Sequence, residues 1–204
     1  MKLLDFKETT ELLNKYGISF PATVFASSKK EILSAGKRFP AYVKVYGKDI
    51  LHRTEKLGVK EVASRQDLLK TFLAMQKIKG TEGVLFQEKI EGKSLIVGMK
   101  RDSQFGPVIM VGIGGIFTEI FKDFSLRVAP VSEKEAIKMI AELKGYDYLL
   151  GKRDKKPVNI KKVAKIVAAV SKLSLENGNI REIDLNPVIA DKSRALAVDF
   201  KFLV

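Results

Sequence analysis

The sequence VGMKRDSQFGPVIMVGIGGIFTEIFKDFSLRVAP, residues 97–130, decides the fold prediction for this chain. Two apolar runs, 95–99 and 108–113, have the length and β-branched content of buried strands, and a charged turn ending in Gly-Pro lies between them. The second run leads into a glycine cluster, 112–115, where a backbone with little side-chain cover can approach a ligand closely. Acidic and basic side chains follow this glycine cluster within a short distance. The combination predicts either a phosphate-binding loop or an ordinary glycine turn in a sheet.

Bulk properties exclude several classes of protein. The chain has 204 residues, of which 46% are hydrophobic, enough for one large domain or two small lobes. It contains no cysteine, which excludes disulfides, thiolate metal sites and a cysteine nucleophile, and suits a reducing cytoplasm. No apolar run approaches the roughly 20 residues of a membrane-spanning helix, and the acids within residues 1–13 argue against a signal peptide.

The net charge of +13 allows nucleic acid, an anionic membrane or a small phosphorylated ligand as a partner. Lysines are spread along the chain and are densest at 152–165, without a recognition module or a basic–aromatic repeat. We interpret the charge as a solvated basic face and expect no membrane partner. A basic nucleic-acid-binding protein is kept as the last alternative function.

Helical and strand patterns alternate along the chain and predict an α+β fold. Polar caps at Ser64, Ser132 and Asn159 each precede a predicted helix, and Ser132 with Glu135 forms the pattern of a capping box. The sequence pattern has a weak boundary near Gly83, which predicts two regions of the chain, 1–83 and 84–204.

Seven segments, in this order, resemble the ATP-grasp domain of ADP-forming acyl-CoA synthetases, in particular the separate β subunit of the archaeal type. The segments are YGISFP (16–21), PAYVKV (40–45), DILHRTEKLGVK (49–60), FQEKIEG (86–92), LIVGMKRDSQFGPVIMVGIGGIFTE (95–119), SLRVAP (125–130) and EIDLNP (182–187). Together, the seven segments extend over almost the whole chain. The resemblance implies an ATP-grasp fold whose two lobes, 1–83 and 84–204, clasp a nucleotide, with the metal site in the second lobe.

A lysine inside an apolar strand, Lys44, needs either an anion or a path to water for its ammonium group. The resemblance implies that Lys44 contacts the α- and β-phosphates of the nucleotide. The further nucleotide-binding residues that it implies are Thr54, Gln87, Glu88, Glu91, Gly114 and Gly115. Ser94 stands where the family has an acid that helps to hold the ribose, so the preference among nucleoside diphosphates is not predicted.

Asp184 and Asn186 are two residues apart and therefore lie on one face of a strand, and Asp199 lies on a later strand. Mg²⁺ takes hard oxygen ligands, often one or two from the protein together with phosphate oxygens and waters. The resemblance implies that Asn186 and Asp199 bind Mg²⁺ directly, with Asp184 beside them. An Asn-Pro turn with ordinary surface acids would give the same spacing.

His52 is the only histidine of the chain. Imidazole is nucleophilic and partly neutral near neutral pH, which suits a phosphoryl carrier, although a lone histidine is more often structural or merely exposed. The resemblance implies that His52 takes phosphate from a histidine of a partner subunit and gives it to ADP, with Glu119 also catalytic. Leu57 replaces a glycine of the family loop, so the movement of this loop is left open.

The favoured hypothesis is the nucleotide-binding β subunit of an ADP-forming acid–CoA ligase, which interconverts acyl-CoA, ADP and phosphate with carboxylate, CoA and ATP. It implies Mg²⁺, ADP or ATP as substrate, a CoA-binding α subunit in an α2β2 heterotetramer, and a cytoplasmic location. The first alternative is a free-standing ATP-grasp ligase that joins a carboxylate to an amine through an acyl phosphate and has no need of His52. The acyl group is not predicted.

Overall fold

The computed structural model describes residues 2–47, 58–115, 122–152 and 154–204, which form two units. The larger unit consists of Met1–Phe20 with Glu91–Val204, and the smaller unit is Pro21–Ile90. The structure therefore divides the chain elsewhere than the predicted boundary near Gly83.

Helices and strands are mixed along the chain, which confirms the predicted α+β class. The helices are α1 (Phe6–Lys15), α2 (Lys29–Ala35), α3 (Arg65–Met75), α4 (Glu133–Ala141), α5 (Tyr146–Leu149) and α6 (Ile160–Glu176). The strands are β1 (Thr23–Ala26), β2 (Ala41–Tyr46), β3 (Val59–Val62), β4 (Gly83–Glu88), β5 (Lys93–Asp102), β6 (Gly106–Ile113), β7 (Phe124–Val128), β8 (Glu182–Ala190), β9 (Ala195–Ala197) and β10 (Phe200–Leu203). Across the described ranges, no helix has the length and apolar content needed to cross a bilayer.

The smaller unit is built on an antiparallel sheet with the strand order β1-β4-β2-β3. Alternate residues of β2 point toward α2 and α3, and Val43 and Val45 are completely buried there with Leu68. Both helices begin at serine caps, since Ser28 and Ser64 each accept a hydrogen bond from a backbone N–H three residues later. The opposite face of this sheet carries Lys44.

The larger unit is built on a sheet with the order β10-β8-β5-β6-β7, and β9 pairs with β8. One face packs on α4 and α6, and its buried side chains Val97, Ile109 and Leu185 share a core with Val167 of α6. The other face, here called the outer face, carries the alternate residues of the same strands. Because β8 alternates between the two faces, its polar residues are gathered on the outer face.

The N-terminal helix belongs to the larger unit, although a long stretch of sequence separates it from the rest. Leu13 and Ile18 lie in the core of that unit, with exposed fractions of 0% and 1%. The N–H of Leu4 donates to the carbonyl of Phe202 over 2.9 Å. Strand β4 in turn pairs with β1 and β2, which assigns it to the smaller unit. Strand pairing and burial, which sequence order does not reveal, thus set the division.

Candidate functional site

Lys44 lies on β2, opposite Val59 of β3 and Leu85 of β4, and only 5% of it is exposed. Its strand position was predicted and is confirmed. Lys44 is thus a buried basic residue on the sheet face opposite Val43 and Val45.

Gln87 lies on the same face of the small sheet as Lys44, because it is paired with Tyr42, two residues earlier on β2. Its Nε2 donates to Oγ1 of Thr23 over 3.0 Å, and the residue is 2% exposed. Glu88, the last residue of β4, follows on the alternate face and is half-buried. The structure thus groups Gln87 with Lys44, and Glu88 is not part of that group.

A charged cluster that sequence reasoning missed adjoins Gln87. Oε2 of Glu61 accepts a hydrogen bond from the Tyr42 hydroxyl over 3.2 Å, and Oε1 accepts from Nζ of Lys89 over 2.8 Å. Lys89 lowers the pKa of Glu61, whereas burial and the Glu61 charge raise the pKa of Tyr42. The only sequence signal was that Tyr42 and Lys44 share a strand face.

In the larger unit, the structure brings Asn186 and Asp199 together. The N–H of Asn186 donates to the backbone carbonyl of Asp199 over 3.1 Å, and Oδ1 of Asp199 accepts the N–H of Phe200 over 3.0 Å. Asp184 shares the outer face with Asn186, as predicted, since the intervening Leu185 is buried in the core. The backbone of β8 and the adjoining Asp199 thus bring residues with carboxylate and amide side chains next to one another.

Burial and neighbouring charges both act on Asp184. Burial raises the pKa of Asp184, the nearby Lys201 opposes that rise, and the charges of Asp199 and Glu182 add to it. No group of three or more His, Cys, Asp or Glu in the described ranges could hold a metal. An oxygen set of Asn186 and Asp199 nevertheless fits Mg²⁺, because this ion usually takes one or two protein ligands and completes its shell with phosphate oxygens and water.

Gly114 packs closely against Ser94. The N–H of Gly114 donates to the carbonyl of Ser94 over 2.8 Å, and a Cβ at position 114 would meet Oγ of Ser94 at 2.2 Å. Gly115 has a φ of 82°, in the left-handed region that favours glycine. The close neighbour of Gly114 is thus Ser94 of the same sheet, and approach of a ligand to the glycine cluster stays a prediction.

A groove of about 510 Å³ extends along the outer face of the larger unit from Asp184. Its lining is mainly apolar, with Met110, Phe124 and Leu126, and it also includes Glu182 and Asp184. Sequence reasoning missed this groove, although the alternate apolar residues of β6 and β7 gave a signal for it.

Four residues discussed from the sequence lie outside the described residues. They are His52, Thr54, Leu57 and Glu119. Glu91, at the start of the second segment of the larger unit, is described and exposed.

Comparison with known proteins gives consistent matches. The family model described as an ATP-grasp domain matches residues 1–204. The chain is 38% identical to the acetate–CoA ligase (ADP-forming) I subunit beta of Pyrococcus furiosus, over 97% of this chain and 90% of that protein. It is 39% identical to acetate–CoA ligase (ADP-forming) I of Archaeoglobus fulgidus, over 97% of this chain but only 30% of that protein.

Solved structures agree with the sequence matches. The dinucleotide forming acetyl-coenzyme A synthetase 1 of Ca. Korarchaeum cryptofilum, in complex with coenzyme A and Ca-AMPCP, superposes with a TM-score of 0.93 at 34% identity, over 100% of this chain and 93% of that chain. A second structure of that enzyme, with Mg-AMPPCP and a phosphohistidine segment pointing towards the nucleotide binding site, has a TM-score of 0.86 at 32% identity, over the same fractions of both chains. The ATP-grasp fold and the similarity to a separate β subunit lead to one conclusion: this chain belongs to the ATP-grasp family of ADP-forming acetate–CoA ligases, as a β-type subunit.

Proposed function

We propose that this chain performs the nucleotide half of an ADP-forming acyl-CoA synthetase reaction, in which ADP receives a phosphoryl group from His52. The observation that carries the proposal is the backbone hydrogen bond from Asn186 to Asp199, which brings together two of the residues proposed to bind Mg²⁺. The Korarchaeum structures with nucleotide analogues support a nucleotide ligand.

The chemical step is a phosphoryl transfer between nitrogen and oxygen. The bond between phosphorus and the imidazole nitrogen of phosphorylated His52 breaks, and a bond to a β-phosphate oxygen of ADP forms, which yields ATP and free histidine. Such transfers depend mostly on positioning and on neutralising charge. The phosphohistidine segment of the Korarchaeum enzyme supports this role for His52, and Glu119 is proposed to assist it.

Lys44 is proposed to bind the phosphates of the nucleotide. Its ammonium group is held on a rigid sheet with 5% exposure, so little conformational entropy is lost when it meets an anion. Gln87 is proposed to bind the nucleotide on the same face as Lys44. Glu88, which lies on the alternate face at the end of β4, and also Glu91 and Thr54 are proposed to recognise the base and ribose. Gly114 and Gly115 are proposed to let the backbone approach the phosphates.

Asn186 and Asp199 are proposed to hold Mg²⁺, with Asp184 nearby. When bound, the ion would neutralise charge on the transferred phosphoryl group. The Mg-AMPPCP in a Korarchaeum structure supports this choice of metal.

The other half of the reaction, which interconverts acyl-CoA with carboxylate and CoA, is proposed to take place on a CoA-binding α subunit. The chain matches 90% of a separate subunit beta but 30% of a longer acetate–CoA ligase, which supports such a division of labour. An α2β2 heterotetramer and a cytoplasmic location stay predictions.

The test is to mix the purified chain with a CoA-binding subunit and to measure ATP formed from acetyl-CoA, ADP and phosphate. We expect Mg·ADP binding by the chain alone, seen by calorimetry, and ATP formation only when both subunits are present. Carboxylate-dependent ATP hydrolysis by the chain alone, stimulated by an amine, would instead support the free-standing ligase.

A further inference from the structure

Strand β7 carries a row of apolar side chains that are open to water. Phe124, Leu126 and Val128 have exposed fractions of 42%, 47% and 48%. The residues between them, Ser125 and Arg127, point to the other side of the strand. A single exposed leucine or valine is ordinary at a protein surface, but a contiguous apolar stripe marks a binding surface.

The stripe continues onto the neighbouring strand. Strand pairing sets Val108 opposite Val128 and Met110 opposite Leu126, so these side chains share the outer face of the sheet. The groove described above includes Val108, Met110 and Leu126 in its lining and reaches Asp184. The β6–β7 surface is defined here as Val108, Met110, Phe124, Leu126 and Val128.

This surface lies at the edge of the sheet. Within the part of the chain that the structure describes, β7 ends the strand order β10-β8-β5-β6-β7 and pairs with β6 alone. An edge strand with an exposed apolar face promotes association with other chains unless a specific partner covers it. The groove lining also includes the exposed charged residues Lys100, Asp102 and Glu182. Apolar residues together with a charged rim are typical of a protein–protein interface.

The turn at the end of the β5–β6 hairpin presents a further aromatic side chain. Phe105 is 65% exposed in this turn. A side-chain oxygen of Asp102, Oδ1, accepts the N–H of Gln104 over 2.8 Å and the N–H of Phe105 over 3.0 Å, which fixes the backbone of the turn. An aromatic residue on a fixed turn loses little conformational entropy when it binds a protein partner.

The charge of the chain argues against a second copy as the occupant of this surface. Each copy carries a net charge of +13, so two copies repel each other. The domain matched in the Archaeoglobus ligase is 30% of one longer chain, whereas the Pyrococcus relative is a separate subunit of about the length of this chain. A separate subunit has to hold its partner through surface contacts alone.

We propose that the β6–β7 surface docks an apolar segment of the CoA-binding subunit. The groove reaches Asp184, so a partner bound along it lies next to the proposed Mg²⁺ ligands, where a phosphoryl group has to arrive. Phe105 adds an anchor at the hairpin end. This inference rests on the proposed function, which is the source of the CoA-binding subunit.

The test compares two double variants. Leu126→Thr with Val128→Thr removes two apolar side chains from the surface, and threonine keeps the preference for a strand. Leu73→Thr with Val24→Thr is the matched control, because these residues lie outside the surface and are 48% and 45% exposed. Calorimetric titration with the CoA-binding subunit measures Kd at one fixed salt concentration.

We expect the Leu126/Val128 variant to raise the Kd for the CoA-binding subunit by about tenfold or more, the effect of truncating a hot-spot residue. The Leu73/Val24 variant should bind that subunit as the wild type does. Because the substituted side chains are exposed, Tm and the affinity of the isolated chain for Mg·ADP should not change. ATP formation by the Leu126/Val128 variant should need more CoA-binding subunit but reach the wild-type kcat.

An unchanged Kd for the CoA-binding subunit in the Leu126/Val128 variant overturns the inference. So does a dimer of the isolated wild-type chain that the same substitutions dissociate, because a second copy would then occupy the surface. If the double variant does not fold, Val128→Thr decides in comparison with Val24→Thr. Failure of the wild-type chain to bind Mg·ADP would refute the proposed function itself, so the two failures are distinguishable.

Discussion

Asn186 donates its backbone N–H to the carbonyl of Asp199 over 3.1 Å, so two residues from different β-strand regions are locked in register on the outer face. The bond lies next to the β8–β10 ladder, in which Leu185 pairs with Phe200. This backbone bond holds the two proposed Mg²⁺ ligands at neighbouring positions.

The first prediction concerns that pair. Asp199→Asn replaces a charged oxygen ligand by a neutral one, so the Mg²⁺ concentration needed for half-maximal ATP formation should rise by about tenfold or more. Titration of the complete enzyme with Mg²⁺ measures this. Glu182→Gln is the matched control, because Glu182 lies on the same sheet and also interacts with Asp184. Equal metal requirements for Asp199→Asn and wild type would remove Asp199 from the site.

The second prediction concerns Lys44. Lys44→Met keeps the buried aliphatic part of the side chain and removes the charge, so nucleotide binding should weaken by about 1.5–3 kcal/mol, the scale of a hydrogen bond to a charged group. Calorimetry with Mg·ADP measures the change. Lys60→Met, on the neighbouring strand β3 and exposed, should bind like wild type. If both variants bind equally well, Lys44 does not contact the phosphates.

The third prediction tests the assignment of α1 to the larger unit. Leu13 is completely buried, so Leu13→Ala should lower the free energy of unfolding by about 2–5 kcal/mol through lost burial and a cavity. Leu175→Ala, at a leucine of α6 that is 49% exposed, should have little effect. Chemical denaturation measures both. Similar small effects of the two substitutions would mean that α1 does not stabilise this core.

The fourth prediction concerns pH. Burial alone would raise the pKa of Asp191, but hydrogen bonds from Ser193 and Arg194 outweigh it and lower that pKa to about 2. A depressed pKa stabilises the folded state above the unfolded value near 3.9, and this stabilisation is lost as the pH falls toward about 2. After allowance for solvent screening, Asp191→Asn should cost about 1 kcal/mol near neutral pH.

Denaturation at a series of pH values measures the difference between wild type and Asp191→Asn. This difference should shrink steadily below about pH 4, because the wild-type carboxylate becomes protonated there. Ser193→Ala, which removes a hydroxyl donor at 2.6 Å from Oδ1 of Asp191, should reproduce part of the effect. A difference that stays constant with pH would show that Asp191 acts through something other than its charge.

Local patterns in the sequence predicted local structure well. The alternation of apolar and polar residues in β8 correctly placed Asp184 and Asn186 on one face. The cap at Ser132 is present, since it accepts the N–H of Glu135, but the capping box was wrong in its second half. The Glu135 carboxylate contacts Arg127 at 3.0 Å and Lys138 at 3.2 Å instead, because partners from outside the helix start compete for it.

The periodicity of the sequence did not predict contacts between residues that are far apart in the chain. The contact of Asn186 with Asp199 depends on the adjacent β8–β10 pairing, and the place of α1 depends on burial of Leu13 against distant strands. The Asp123 carboxylate likewise accepts the N–H of Lys144, which is 21 residues away. No spacing rule relates such positions, since tertiary packing decides them.

The central claim is that this chain makes ATP through His52, and the rate of ATP formation by the complete enzyme with His52→Ala tests it most directly. His52 is the only histidine of the chain, so no other imidazole in it can take over. The account predicts that His52→Ala binds Mg·ADP as wild type does, while ATP formation with the CoA-binding subunit nearly disappears. ATP formation by His52→Ala at close to the wild-type rate would contradict the account and favour the free-standing ligase.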